Sequence, residues 1–257
     1  MEPILLYGFP SGTSMGLVAA LEWLGQPYRL TRVDMLGEMR DPAYARINPR
    51  HETPALITDD GHPLTETMAI AAWLEARDTE RRISFEPLSP EADRMHQLMA
   101  FLNTGFTGAF SPLWVALELE TPDPDYRAAL LRFGRESVIE RHEKLEAMVG
   151  DGPFLVGDRP TLADGLLAGV ARWLEYHEIA DIARWPRLAK IRQRVEADPA
   201  VRFALALEDG EAPAGTGALR GQIPLAEIID RFGGQPFNRA SNSASSLPQP
   251  SAASAGR

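Results

Sequence analysis

The chemistry this sequence offers is carried by hydroxyls, carboxylates and no thiol. Tyr7 ends a short apolar run, and Ser11, Thr13 and Ser14 follow it within one loop. A second group lies between residues 48 and 73. There His51, Thr53 and Pro54 precede an apolar run, Ala55-Leu56-Ile57, and the acid–hydroxyl pair Glu66-Thr67 opens a helix-like stretch. A carboxylate can hold an ammonium, and a hydroxyl at a helix N-terminus can hold an anion, where free N–H groups and the dipole favour negative charge. The pattern reads as a grip on a small peptide by its backbone and its charged end.

Composition narrows the rest. There are no cysteines, so disulfides, cysteine nucleophiles and thiolate metal sites are excluded, and any sulfur chemistry must use the ligand's thiol. The five histidines show no metal-ligand spacing, and no metal is expected. A net charge of −10 argues against nucleic acid, whose binding rests on clustered Lys and Arg. No apolar run approaches the ~20 residues of a membrane helix. No basic-then-apolar leader opens the chain, so a soluble cytoplasmic protein is expected.

The elements that must position these groups follow from periodicity. Residues 4–7 and 28–33 read as strands, with a helix between them that Gly25 ends. Residues 54–58 and 62–64 pair around Asp60-Gly61, a strong hairpin signal, and a helix runs from 67 to about 77. The order is β-α-β, a loosely patterned stretch over 36–47, then β-β-α, which implies a sheet covered by helices. Residues 79–89 are charged and read as a linker. Helices dominate from Ser89-Pro90 onward: Pro112 interrupts the first region, a long helix spans 126–149, and Thr161 and Asp164 make a capping-box start. A further helix follows Trp185-Pro186. In the tail, residues 224–232 have helical spacing, though so short a helix is marginal unless docked. Residues 235–257 have a disordered composition.

Four motifs in order carry a resemblance. They are Asn48-Pro49-Arg50-His51-Glu52-Thr53-Pro54, Glu66-Thr67-Met68-Ala69-Ile70, Gly157-Asp158-Arg159-Pro160-Thr161-Leu162-Ala163-Asp164, and Trp185-Pro186-Arg187-Leu188. Over residues 3–208 the chain resembles the cytosolic glutathione transferases. The resemblance implies an α/β, thioredoxin-like glutathione-binding domain with a mixed four-stranded sheet over 1–78, an all-helical domain over 90–208, and a homodimer. It leaves the tail, 209–257, unexplained.

In that family's fold the proline at Pro54 is cis, which turns the Thr53 amide and carbonyl outward to pair with the peptide's cysteine unit. Glu66 takes the γ-glutamyl ammonium, Thr67 the adjacent carboxylate, and His51 the glycyl carboxylate. Each residue alone also reads plainly: Thr67 as a cap, Glu66 as a solvated acid, Pro54 as a strand entry, His51 as an exposed loop residue. Together with the helical domain they read as one ligand site.

The family activates the glutathione thiol with a Tyr, Ser or Cys at the end of the first strand. Ser11 is the first choice here and Tyr7 the second, with Thr13 and Ser14 as further hydroxyls. The hydroxyl would donate to the thiolate without forming a covalent intermediate. Phe106, Phe110 and Trp114 are expected to wall the second-substrate pocket, or else to be core packing. Thr107-Gly108 stands where the bacterial beta subgroup has His-Lys, and the loop at 11–16 lacks the Cys and Arg of the isomerase-type zeta subgroup, so maleylacetoacetate isomerase activity is not expected. The leading reading is conjugation of glutathione to small hydrophobic electrophiles. A glutathione-dependent peroxidase or disulfide reductase is the alternative on the same fold. A noncatalytic binding or scaffolding protein is the alternative of another class, motivated by the tail.

Overall fold

The structure is a computed structural model that describes residues 1–121 and 123–234. The composition-based reading of 235–257 falls outside the described residues. Its sheet has five strands in the order β4-β3-β1-β2-β5: β1 is Ile4–Phe9, β2 Tyr28–Asp34, β3 Ala55–Ile57, β4 Pro63–Thr65 and β5 Leu219–Gln222. β1 pairs parallel with β2 and antiparallel with β3, and β3 pairs antiparallel with β4. These are the four expected strands. The fifth comes from the tail and adds parallel to the β2 edge.

Alternation along β1 separates two cores. Leu5 and Tyr7 join the main core with α1 (Met15–Leu24), α2 (Thr67–Glu75) and the helical domain. Ile4 and Leu6 face the other side of the sheet and pack with Val33, Tyr44, Ile47 and Ile57. Gly25 ends α1 at φ 70°, a left-handed conformation glycine adopts without a Cβ clash. Gly61 turns the hairpin at φ 86°, and the Thr58 amide donates to the His62 carbonyl at 2.9 Å.

The helical domain comprises α3 (Pro90–Ala100), α4 (Ser111–Glu118), α5 (Pro124–Met148), α6 (Leu162–Val170), α7 (Trp173–Tyr176), α8 (Pro186–Ala197) and α9 (Pro199–Glu208). Between α3 and α4 the chain widens into a π turn at Phe101–Phe106 and then tightens into a 3₁₀ turn at Thr107–Phe110, so the break precedes Pro112. The capping box on α6 is present: the Asp164 carboxylate accepts from the Thr161 amide and hydroxyl, both at 2.9 Å, and from the Leu155 amide at 2.9 Å. Burial pushes Asp164 up to about 6, against the pull of these donors.

The two domains meet where α1 crosses α6, and small residues set the distance. A Cβ on Gly16 would lie 1.8 Å from the Gly165 carbonyl oxygen, and one on Gly169 would lie 2.4 Å from that of Thr13. The loop that precedes α1 is therefore pressed against the helical domain. The segment read as a linker is also tied down: Asp78 accepts from the Ile83 amide and the Ser84 hydroxyl, and Arg159 reaches the Arg81 carbonyl. Among the described residues no helix is long and apolar enough to cross a membrane. The last helix, α10 (Leu225–Phe232), is docked on the second core rather than free.

Candidate active site

A cleft of about 570 Å³ lies between the loop before α1 and the helical domain. Its floor is Pro10, Ser11, Gly12 and Thr13, with Thr53 and His51 beside them. Ser11 adopts φ 57°, His51 φ 53° and Glu66 φ 77°. Only three other non-glycine residues among those described have positive φ. Half of this strained set thus falls on residues singled out from sequence, and such strain clusters at functional sites.

Helical-domain side chains hold the loop from behind. The Trp173 indole N–H donates to the Ser11 carbonyl at 3.0 Å. The Gly12 amide donates to the Glu208 carboxylate at 2.9 Å, and Arg172 bridges the Gly12 carbonyl and Glu208. Glu208 is 8% exposed. Burial pushes its carboxyl up, and Arg172 and the Gly12 amide pull it back. Ser14 is buried and accepts the Gly8 amide at 3.2 Å. With the Gly12 amide and Ser14 so engaged, Ser11 and Thr13 carry the hydroxyls of this loop that line the cleft.

Tyr7 is placed elsewhere. It is fully buried, and its hydroxyl donates to the Leu207 carbonyl at 3.5 Å across the domain boundary. Burial pushes its pKa up. The reason is strand parity: Tyr7 shares a face with Leu5, in the main core, and does not line the cleft. Of the two hydroxyls offered for thiol activation, Ser11 lines the cleft and Tyr7 does not.

The three aromatics expected either to wall the second-substrate pocket or to pack in the core divide between those places. Phe106 and Phe110 are fully buried and pack on His142 and Trp173, with ring centroids 4.4 Å and 5.4 Å apart respectively. They sit one layer behind the cleft. Trp114 does line it, stacked on Tyr176 at 5.1 Å and edge-on to Trp173 at 5.1 Å. Trp173 and Tyr176 were missed because α6 ends at Val170, and a new helix begins at Trp173 facing a loop 160 residues away in sequence. Met35, Leu36 and Met39 supply the apolar wall opposite, with Arg40 at its rim.

Thr53–Pro54 is cis, as the resemblance implied, and Phe9–Pro10 is cis as well. The Thr53 amide and carbonyl make no hydrogen bond among the described residues. Glu66 does not line the cleft itself. It sits at the start of α2, its side chain 60% exposed and bridged to Arg50 at 2.5 Å. Arg50 also reaches Glu52 and the Thr65 hydroxyl, a bracket the sequence reading did not assign to it. Thr67 begins α2, whose N-terminus carries no side-chain cap, leaving first-turn N–H groups for an anion. His51 Nδ1 donates to the Met39 carbonyl at 2.8 Å, so Nε2 can donate to an anion only in the imidazolium form.

Comparison with known proteins gives the family. A family profile described as "Glutathione S-transferase, N-terminal domain" matches residues 10–77, and one described as "Glutathione S-transferase, C-terminal domain" matches residues 111–205. The chain belongs to the glutathione S-transferase family. It is 26% identical over 208 residues to glutathione S-transferase GstA of Escherichia coli O157:H7, covering 79% of this chain and 98% of that one. It is 28% identical over 214 residues to a maleylacetoacetate isomerase of Pseudomonas aeruginosa, covering 81% and 99%. The structure of a sphingomonad glutathione S-transferase complexed with glutathione superposes with a TM-score of 0.68 at 25% identity, covering 80% of this chain and 98% of that one. These family matches end near the close of α9, so β5 and α10 lie beyond the family profile.

Proposed function

We propose that this protein binds glutathione and transfers its thiolate to small hydrophobic, aromatic electrophiles. The observation that carries this is the cleft itself, where the Ser11 and Thr13 hydroxyls, the free Thr53 backbone and an aromatic wall share one volume. Glutathione's cysteine unit pairs with the Thr53 amide and carbonyl. Its γ-glutamyl ammonium meets Glu66, held by Arg50, and its adjacent carboxylate takes the Thr67 hydroxyl and the N-terminus of α2. His51 takes the glycyl carboxylate. The thiol then lies at Ser11, beside the N-terminus of α1. A hydroxyl donating to sulfur favours the thiolate, whose lone pair attacks the electrophilic carbon as the leaving group departs. Trp114, Trp173 and Tyr176 offer flat, rigid area for the acceptor.

Calorimetric titration with glutathione, followed by turnover of a chloronitrobenzene, tests this. Micromolar-to-millimolar binding with measurable conjugation is expected, and no glutathione binding at all contradicts it. Thr13 in the cleft supports a second reading, turnover of a hydroperoxide or hydroxyethyl disulfide by the same thiolate, which prevails if those substrates react and the chloronitrobenzene does not. The loop at residues 11–16 of this chain has neither the Cys nor the Arg implied for the isomerase-type subgroup, so conjugation is preferred although one relative is a maleylacetoacetate isomerase. The scaffolding reading loses its motive, since the apolar face of the tail helix is used within the chain. A homodimer acting in the cytoplasm completes the proposal. Phe133, 62% exposed on α5, and Tyr126 leave apolar surface for a second copy.

A further inference from the structure

We propose that the segment after α9 is a buttress for the ligand-binding loop, with Ile228 and Phe232 as positioning residues that set the affinity for glutathione. The affinity part rests on the glutathione reading above. The path of the chain makes the case. Beyond Glu208 the chain returns to the first domain, where the Thr216 amide donates to Glu22 at 2.6 Å. β5 then extends the sheet, the Tyr28 amide donating to the Ala218 carbonyl at 3.2 Å and the Ile223 amide to the Leu30 carbonyl at 2.8 Å.

α10 lays Leu225, Ile228 and Phe232 on the sheet face formed by Ile4, Leu6, Val33 and Ile57. The connection between β2 and β3 contains two single 3₁₀ turns, Glu38–Arg40 and Tyr44–Arg46, and no α-helix. That connection is too short in helix to cover the face, and α10 supplies the missing cover. The same helix grips the connection directly. The Gly234 amide donates to the Arg46 carbonyl at 3.2 Å, and the Arg46 guanidinium donates to the Gly233 carbonyl at 3.0 Å.

From there a chain of bonds reaches the site. The hydroxyl of Tyr44 and the side-chain amide of Asn48 both donate to the Glu52 carbonyl, at 2.9 Å and 2.8 Å, immediately before Thr53. His51 ties the same turn to Met39 in the cleft wall. Loosening α10 therefore loosens the backbone that receives the ligand, while Ser11 and its clamp from Trp173 and Glu208 are untouched.

The experiment compares the full chain with Phe232→Ala and Ile228→Ala by amide hydrogen exchange and by steady-state kinetics with glutathione. Exchange over residues 44–52 is expected to quicken about tenfold while α5 is unchanged, as for a local opening. The KM for glutathione is expected to rise about fivefold with kcat within about twofold, the pattern of lost ground-state binding. Phe232→Ala is the milder change, at the last turn of α10, and keeps the test open if Ile228→Ala fails to fold. Exchange at 44–52 unchanged while 225–234 exchanges freely overturns the proposal. So does equal acceleration in every element, which would make α10 a general source of stability. Absence of glutathione binding by the unaltered chain would sink the proposed function instead, and the exchange result would still judge the buttress.

Discussion

Ser11 sits in a left-handed conformation with its carbonyl held by Trp173, a posture that aims a small loop rather than packs it. If its hydroxyl donates to the thiolate, Ser11→Ala removes one charge-assisted bond that favours the ionised thiol, so less of the bound glutathione is thiolate at neutral pH. A fall of about 10- to 100-fold in kcat, with KM for glutathione little changed, is the expected result of steady-state assay. Tyr7→Phe loses a 3.5 Å bond to a backbone carbonyl that does not line the cleft and is expected to leave kcat within about twofold. Ser11, Thr13, Thr53, His51 and Trp114, all singled out from the sequence, line one cleft, and local turn chemistry and proline mark the loop positions among them. The sequence left Tyr7 and Ser11 competing, because hydroxyl type and spacing do not reveal which face of β1 a side chain takes until the sheet's two cores are known. Trp173, Arg172 and Glu208 were invisible for a different reason: each acts on a loop some 160 to 196 positions away in the chain.

At the scale of elements, the crossing of α1 and α6 joins the thiol-binding loop to the helical domain. Its closeness depends on glycine. In Gly165→Ala the added Cβ would lie 2.8 Å from the Gly16 carbonyl oxygen, a backbone atom that cannot swing aside. Thermal unfolding is expected to show a loss of about 1–3 kcal/mol from this overpacking. Helices α1, α2 and α5 were legible from their apolar spacing and end signals, and the α6 capping box from Thr161 and Asp164. The break after α6 was not, because Ala171 and Arg172 are ordinary helix formers and tertiary packing of Trp173 against Phe110 and Trp114 decides the turn.

Across the whole molecule, the tail is where the sequence was least informative. Residues 224–232 showed a helical stripe, but nothing local said that it would face Ile4 and Leu6, or that residues 219–222 would extend the sheet. Stability of the assembled fold also carries a pH signature. His142 is buried between Phe106 and Trp185, its Nδ1 donating to the Val138 carbonyl at 2.8 Å, and burial lowers its pKa from 6.5 to about 4. Because the folded value lies below the unfolded one, the neutral ring's contribution is full above pH 6.5. It is lost as the pH falls toward 4, where the unfolded chain binds a proton the folded chain refuses. The loss is about 3 kcal/mol over that window. Denaturant titrations from pH 7 to 4 are expected to show a shallower decline in His142→Leu than in the unaltered chain, and parallel declines would contradict the assignment.

The most direct test of the account is the ionisation of bound glutathione, followed by the ultraviolet absorbance of the thiolate as pH is raised. A free thiol titrates near ~8.5. With the Ser11 hydroxyl and the N-terminus of α1 at the sulfur, the bound thiol is predicted to titrate below about 7.5, and in Ser11→Ala to return toward the free value. Bound glutathione that ionises like free glutathione, or a low value that Ser11→Ala leaves in place, would contradict the account.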